Sequence, residues 1–480
     1  MNARLTAVLL LFAAMLLPAA AGDGFIYINV SVKFIMYPGD GLRPRSNPAD
    51  ANTRISDDTI TPALDDANRF LAGYGRGYRI RIVESLEIGG LNQSRANQPR
   101  TKPGYYSVQS AMDDFLYPNG TLGPLIDALD QNARTNATTK ADFKWNDNAV
   151  NIFVPSGWGG GGGIFPQNGN AAGFGYFEGW LFLHELGHYF DLYHTFDDDL
   201  VSDTLVDPVF PGRDAVAYAL YGVQFASLSA AQKTAVDKDS GSNYRSVVLY
   251  GLLYSGLSAA QKAVVDALPT LENWSQILYS KTYASLTAAE KAKVDDKFNN
   301  PPYASHYLDA LAYRQYAKAY PTLSPAELIA VRALYATRCR NSIAAANALG
   351  NNYAALSAYN QDRVDNVFRN IMSYYDPPQR NETANWITEG QLDRFSDTAN
   401  NQRSFAVTGR TWFIQAGASV SFAGTSASPF NNLSAGIVVA STSGNDILLL
   451  RPGTYTTTTS ISEPLTIRAT RLGGVTITKP

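Results

Sequence analysis

Residues 184–194 read HELGHYFDLYH and hold three of the chain's four histidines. On a helix, His184 and His188 project about 40° apart around the axis and ~6 Å apart along it, close enough to grip one ion together. Glu185 stands beside them. His194 lies six residues beyond His188, and in a continuous helix it would point roughly 240° away. For all three rings to meet, the helix has to end between them and the chain has to turn through a left-handed residue. Gly does this freely, whereas Asn or Asp does it at a cost of order 1 kcal/mol. Asp191 stands at that place. The bland alternatives are a chance histidine pair on a buried helix, or two surface histidines. The full spacing, directly after the apolar run Trp180, Leu181, Phe182 and Leu183, favours a metal site.

H-E-x-x-H on a helix is a zinc arrangement in which the two histidines bind and the glutamate is the general base. Three further stretches bear on it. VSDT follows at 201–204, NIMSYYDP at 370–377 and ITEGQLDRF at 387–395. Together with HELGHYFDLYHTF they resemble the metzincins, and within that clan the pappalysin-like or cytophagalysin family. Its members show a similar HExxHxxGLxHTF run, a D-T step, an N-x-M-x-Y turn and an F-T-x-x-Q-x-x-R segment. NIFVP and the later Ile164-Phe165-Pro166 also look like that family's substrate-edge strand. The resemblance covers residues 28–395, with Asp191 where the family has Gly and with no pro-domain visible before the first strand.

The resemblance implies a metzincin-like α/β (α+β) catalytic domain working as a secreted zinc endopeptidase. Zn2+ would be held by His184, His188 and His194, with a water completing the coordination. Glu185 would be the general base. Met372 would form an apolar floor under the histidines, and Tyr374 would reach the metal or the oxyanion. The partner is then a protein or peptide substrate.

The first 24 residues, MNARLTAVLLLFAAMLLPAAAGDG, have a basic start at Arg4, an apolar core over 5–17 and a small-residue region over 18–22. They read as a secretory signal peptide, residues 1–21. The apolar run is too short to span a bilayer, and no later stretch approaches ~20 apolar residues. A secreted location, extracellular or periplasmic in a bacterial host, is the expectation. A net charge of −3 gives no reason to invoke nucleic acid. The single cysteine, Cys339, cannot form an intrachain disulfide and reads as a small buried apolar residue.

Taken in order, 25–36 reads as a strand, 56–72 as a helix with Leu64, Ala67, Phe70 and Leu71 as its buried stripe, and 78–84 and 148–155 as strands. Five glycines at 159–163 read either as a flexible loop or as an edge segment whose bare backbone admits a peptide. Asp197, Asp198 and Asp199 suit a Ca2+ ion. They lack EF-hand spacing, and a solvated acidic loop is the plainer reading.

Between 213 and 368 a pattern recurs from Phe225, Tyr254, Tyr283, Tyr320 and, degenerate, Tyr353, at intervals of 29, 29, 37 and 33 residues. Its first four copies carry L-[ST]-x-x-[QE], a capping box, with Ser229, Ser258, Thr287 and Ser324 as caps and Gln232, Gln261, Glu290 and Glu327 reaching back. An Ala two beyond each cap and a Val seven beyond it are expected on the buried face, and each aromatic on the neighbouring unit. This is read as an all-α repeat insertion, stabilised by stacking, that interrupts a catalytic domain spanning 22–407. His306, the fourth histidine, reads as a packed or solvent-facing residue.

From 408 to 480 the chain turns to Ser, Thr, Gly and β-branched residues. This segment resembles the opening coil of a right-handed parallel β-helix and is expected to be a small all-β accessory module. The competing reading of the whole chain is a non-catalytic protein that binds a surface or partner through the repeats and this module, on a metzincin scaffold.

Overall fold

The structure is a computed structural model. It describes residues 23–36, 42–44, 54–89, 103, 123–155, 161–196, 200–207, 320–373, 375, 387–418, 423–440, 445–461, 465–470 and 474–479, with single residues and short runs between 229 and 318. The expected signal segment 1–21, the acidic run 197–199, His306 and Tyr374 lie outside the described residues. The chain divides into two compact units, Tyr27–Val407 and, separately, Thr408–Pro480 with the N-terminal residues to Ile26.

The larger unit is mixed α/β. Its sheet has the order β2-β1-β3-β5-β4. The strands are β1 (Ile26–Ile35), β2 (Tyr78–Ile88), β3 (Val150–Val154), β4 (Gly161–Gly163) and β5 (Ala171–Phe174). β1, β3 and β5 run parallel, and β4 returns antiparallel along β5. The central strands are apolar and β-branched because both faces are covered, and β3 is buried at every position. One covering element is α1 (Asp57–Gly73), which starts at the N-cap Ser56 and buries Ile60, Ala63, Ala67, Phe70 and Leu71. These positions follow the i, i+3, i+7 rhythm of one helix face. Leu64, expected in that stripe, is half-buried, and Ala63 beside it takes the inward position. The next helix is α2 (Gly123–Ala133). The histidine-bearing helix, α3 (Gly179–Tyr189), crosses α1 closely, because Gly179 leaves room where a Cβ would meet Asp66 Cβ at 2.5 Å.

In the helical region the four expected capping boxes are closed. Glu327, for example, accepts from Ser324 N at 2.8 Å while Ser324 accepts from Glu327 N. Ser229, Ser258 and Thr287 pair likewise with Gln232, Gln261 and Glu290. Val265 and Val331, seven beyond their caps, are fully buried. Ala260 and Ala326, two beyond, are exposed, which corrects the expected face. Five residues turn a helix by about 140°, so the two positions cannot share one side.

Of the described aromatics, Tyr353 packs on the preceding unit as expected, under Arg340 and with its N–H donating to Asn341 Oδ1 at 2.7 Å. There are also bonds within the repeats. Tyr254 donates to Asp266 and Tyr353 to Asp365, and Tyr320 accepts from Arg332, in each case twelve residues on. Helices α4 (Pro325–Ala346) and α5 (Ala358–Phe368) enclose a core of Val331, Tyr335, Cys339, Ile343, Val364 and Phe368 that also takes in Leu205 and Tyr375. Cys339 is a buried thiol, pushed up by burial. Helix α6 (Glu389–Asn400) follows the Met372 segment.

In the smaller unit β6 (Thr411–Ile414) is followed by α7 (Leu433–Val439) and then β7 (Ile447–Leu450), β8 (Gly453–Thr456), β9 (Thr466–Ala469) and β10 (Val475–Thr478). The strands form two parallel sheets, β6-β7-β9 and β8-β10. Ile414, Phe430, Leu433, Leu448, Leu450 and Tyr455 form its core. No helix among the described residues is long and apolar enough to cross a membrane.

Candidate metal centre

Helix α3 carries His184, Glu185 and His188 on its buried side. It ends as the spacing requires. Leu192 N donates to Gly187 O at 2.8 Å and Asp191 N to His188 O at 3.0 Å, and Asp191 has φ 71°. These two bonds are the Schellman pattern, with Asp191 in the left-handed position usually taken by Gly. The reversal brings His194 Nε2 to 3.1 Å from His188 Nε2, and ligand atoms of the three histidines lie within 4.8 Å of one another.

The donor chemistry suits a cation. A carbonyl can only accept, so contacts from Nδ1 of His184 to Ile371 O (2.6 Å) and from Nδ1 of His188 to Leu192 O (2.8 Å) fix N–H at Nδ1. The lone pair of each ring is then at Nε2, the ligand form of a neutral imidazole, with the outer nitrogen held by a backbone partner. Burial, with His194 and His184 nearby, pushes His188 well down and keeps it neutral. Three imidazoles with ligand atoms this close fit zinc, which takes His nitrogens at about 2.0–2.1 Å. His194 stacks on Phe196 at 4.7 Å.

Glu185 is 5% exposed and lies against β4. A Cβ on Gly161 would stand 2.6 Å from Glu185 Cγ, and one on Gly163 would stand 1.9 Å from the Glu185 carbonyl oxygen. The glycine run therefore lets an edge strand pass over the metal-site helix at backbone distance. Burial pushes the Glu185 carboxyl up to about 8, against a hydrogen bond from Gly163 N–H. A cation among the histidines would draw it down again.

Met372 is fully buried and packs on Gly187, where a Cβ would meet its Sδ at 2.6 Å. Asn370 shapes this turn. It accepts from Met372 N at 2.9 Å and donates to Gln391 Oε1 at 2.8 Å. The metal helix and the Met372 turn are also joined through Thr195 N, which donates to Met372 O at 3.2 Å.

Further polar residues shape the site, and two of them, Arg394 and Asp203, stand in the ITEGQLDRF and VSDT stretches. Arg394 donates through Nε to Asp191 O at 2.6 Å and through its terminal nitrogen to the Asp191 carboxylate. Arg403 is fully buried, lies 3.8 Å over the Tyr189 ring and donates to Tyr189 O and Ile164 O, joining the end of α3 to the segment after β4. Asp203, next to the acidic run, accepts from Thr388 Oγ1 and Gly390 N at 2.8 Å each, so it caps the start of α6. The available signal was those two stretches, of which ITEGQLDRF carries Gln391 and Arg394. Three apart on α6, they share a face and reach the two turns of the site.

No protein-family model matches the chain, and no curated protein does. Among solved structures it is weakly similar to mature mirolysin of Tannerella forsythia in complex with a cleaved peptide. Identity is 17% and the TM-score 0.21, over 38% of this chain and 73% of that one. A chaperone-substrate complex gives 12% identity and a TM-score of 0.21 over 36% of this chain, which spans only 24% of that one. Scores this low carry no argument about fold or function.

Proposed function

We propose that the chain is a zinc-dependent endopeptidase of the pappalysin-like metzincin kind. The observation that carries this reading is the turn at Asp191, which brings a third histidine to the pair on α3 with Glu185 beside them. His184, His188 and His194 would hold the ion. Zinc, when bound, would polarise the scissile carbonyl and lower the pKa of a water from 15.7 to about 7.

The chain's own groups supply the rest. Glu185 would accept the proton of the attacking water and pass it to the leaving amine, a role helped by burial between α3 and β4. Met372 holds the floor beneath the histidines. Tyr374 is assigned to the developing oxyanion by the resemblance alone. Among the described residues β4 pairs only with β5. Its outer edge can therefore take an extended peptide by strand addition, and its glycines let that backbone come close to Glu185.

The same reading makes 22–407 the peptidase domain, with 213–368 inserted into it, and makes 408–480 an accessory module. The paired parallel strands of that module suit the first coils of a β-helix. Residues 1–21 direct export. A calcium ion at the acidic run 197–199 is a secondary element of the reading. The test is Glu185→Ala against wild type on a denatured protein mixture, with cleavage sites mapped and zinc counted. The variant is expected to keep its zinc and lose at least ~10²-fold in rate. Undiminished cleavage by the variant would refute the mechanism.

A further inference from the structure

Asp207 is 2% exposed, yet it is a carboxylate in a unit where the described metal chemistry belongs to histidines. Its two oxygens accept from two hydroxyls that come from opposite sides of the site. Thr195 Oγ1 donates to Oδ2 at 3.1 Å, and Tyr375 OH donates to Oδ1 at 2.6 Å. Thr195 directly follows the third histidine, and Tyr375 comes three residues after Met372. The Thr195 amide closes the ring by donating to Met372 O. Asp207 is therefore the joint between the segment that carries His194 and the turn that lies under the histidines.

The joint is itself held from the helical region. Asn347, the C-cap of α4, grips the neighbouring residue Val206 on both backbone groups. It accepts from Val206 N at 3.0 Å and donates to Val206 O at 2.9 Å. Leu205, one residue earlier, is packed into the core of α4 and α5, as is the ring of Tyr375. Three consecutive residues thus run from the helical core to the metal ligand. Leu205 is anchored by packing, Val206 by Asn347, and Asp207 by Thr195 and Tyr375.

We infer that Asp207 is a positioning residue for the third metal ligand, and that the helical region sets metal affinity through Asn347, Val206 and Asp207. His194 lies beyond the end of α3, so what fixes the adjacent Thr195 helps to set its placement. Partners behind a ligand of this kind are worth 10–100-fold in metal affinity. The inference rests on the metal-site reading above.

The test is zinc affinity by chelator competition, with the visible spectrum of the cobalt-loaded protein as a second readout. It uses the full chain and the variants Asp207→Asn, Thr195→Val, their double, and Asn347→Ala. Asp446→Asn is the control. Asp446 is buried too, but it accepts from Arg410 N and Trp412 Nε1 in the smaller unit. D207N is expected to lose roughly 30-fold in zinc affinity and T195V roughly tenfold. The double should be no weaker than D207N, because both changes break one link. N347A should lose a few-fold, with an altered cobalt spectrum in each case.

If wild type and variants bind zinc alike, the positioning role is overturned and the peptidase reading stands. If D446N loses as much as D207N, the effect is general destabilisation and the inference fails. If wild type takes up neither zinc nor cobalt, both readings fall. Should D207N not fold, unchanged affinity in T195V and N347A together overturns the inference.

Discussion

Replacing Arg394 with Ala isolates what it costs to build the third-ligand turn on Asp rather than Gly. Asp191 sits at φ 71°, a strain of order 1 kcal/mol for a residue with a side chain. Arg394 offsets it with one charge-assisted bond to the Asp191 carbonyl and one to the carboxylate. Such bonds are worth about 1.5–3 kcal/mol each in favourable settings. The side chains here are 27% and 15% exposed, so solvent screens the pair, and about 2 kcal/mol for both together is the better figure.

If that energy holds the turn, losing it weakens zinc binding by roughly 30-fold, since 1.4 kcal/mol is tenfold. In an Asp191→Gly background the same change should cost much less. Gly takes the left-handed position without strain and leaves no half-buried carboxylate behind. The assay is a double-mutant cycle on zinc affinity, with thermal unfolding of each metal-free protein alongside. A coupling of at least about 1 kcal/mol between the two positions is expected. Wild-type zinc affinity in R394A, or strict additivity with D191G, would refute the reasoning.

Two further outcomes follow from buried groups. Lys33, fully buried beside Ser31, is pushed down by burial from 10.5 to about 7. The unfolded chain then binds the proton more tightly, so stability should rise between pH 7 and about 10.5, by about 3 kcal/mol between pH 7 and 9.5. Urea unfolding of Lys33→Met should show greater stability than wild type at pH 7 and should lack that part of the rise. A difference between the two proteins that is independent of pH would count against it. Gly163→Ala puts a methyl 1.9 Å from the Glu185 carbonyl, a backbone atom that no rotamer change can move aside. Displacement of β4 should cost about 1–3 kcal/mol and lower peptidase activity more than Gly73→Ala, where a Cβ meets nothing. Equal behaviour of the two variants would show that the close approach is unimportant.

The histidine helix, its end and the capped repeats were legible because each follows from local rules. Spacing on a helix sets the ligand pair, left-handed tolerance marks Asp191, and the Ser/Thr-x-x-Glu/Gln pattern marks helix starts. What lay beyond reading were the residues that act across long separations. Asp203 and Arg394 stand in the VSDT and ITEGQLDRF stretches and Asp207 in none, and only the fold shows that each closes onto a turn or helix end far along the chain. The repeat alanines sit off the buried face because five residues turn a helix by about 140°. The reach of β4 over Glu185 depended on the register with β5, which a run of identical glycines cannot specify.

The grip of Arg394 on Asp191 also has a meaning in time. The two residues are 203 positions apart. A ribosome adding about 5–20 residues per second needs roughly 10–40 seconds to go from one to the other. Throughout that interval the nascent chain carries the histidine pair and Glu185, but not the residue that locks the turn to His194. Synthesis itself therefore acts as a delay. The turn that brings His194 to the histidine pair gains its partner only after most of the polypeptide has been made.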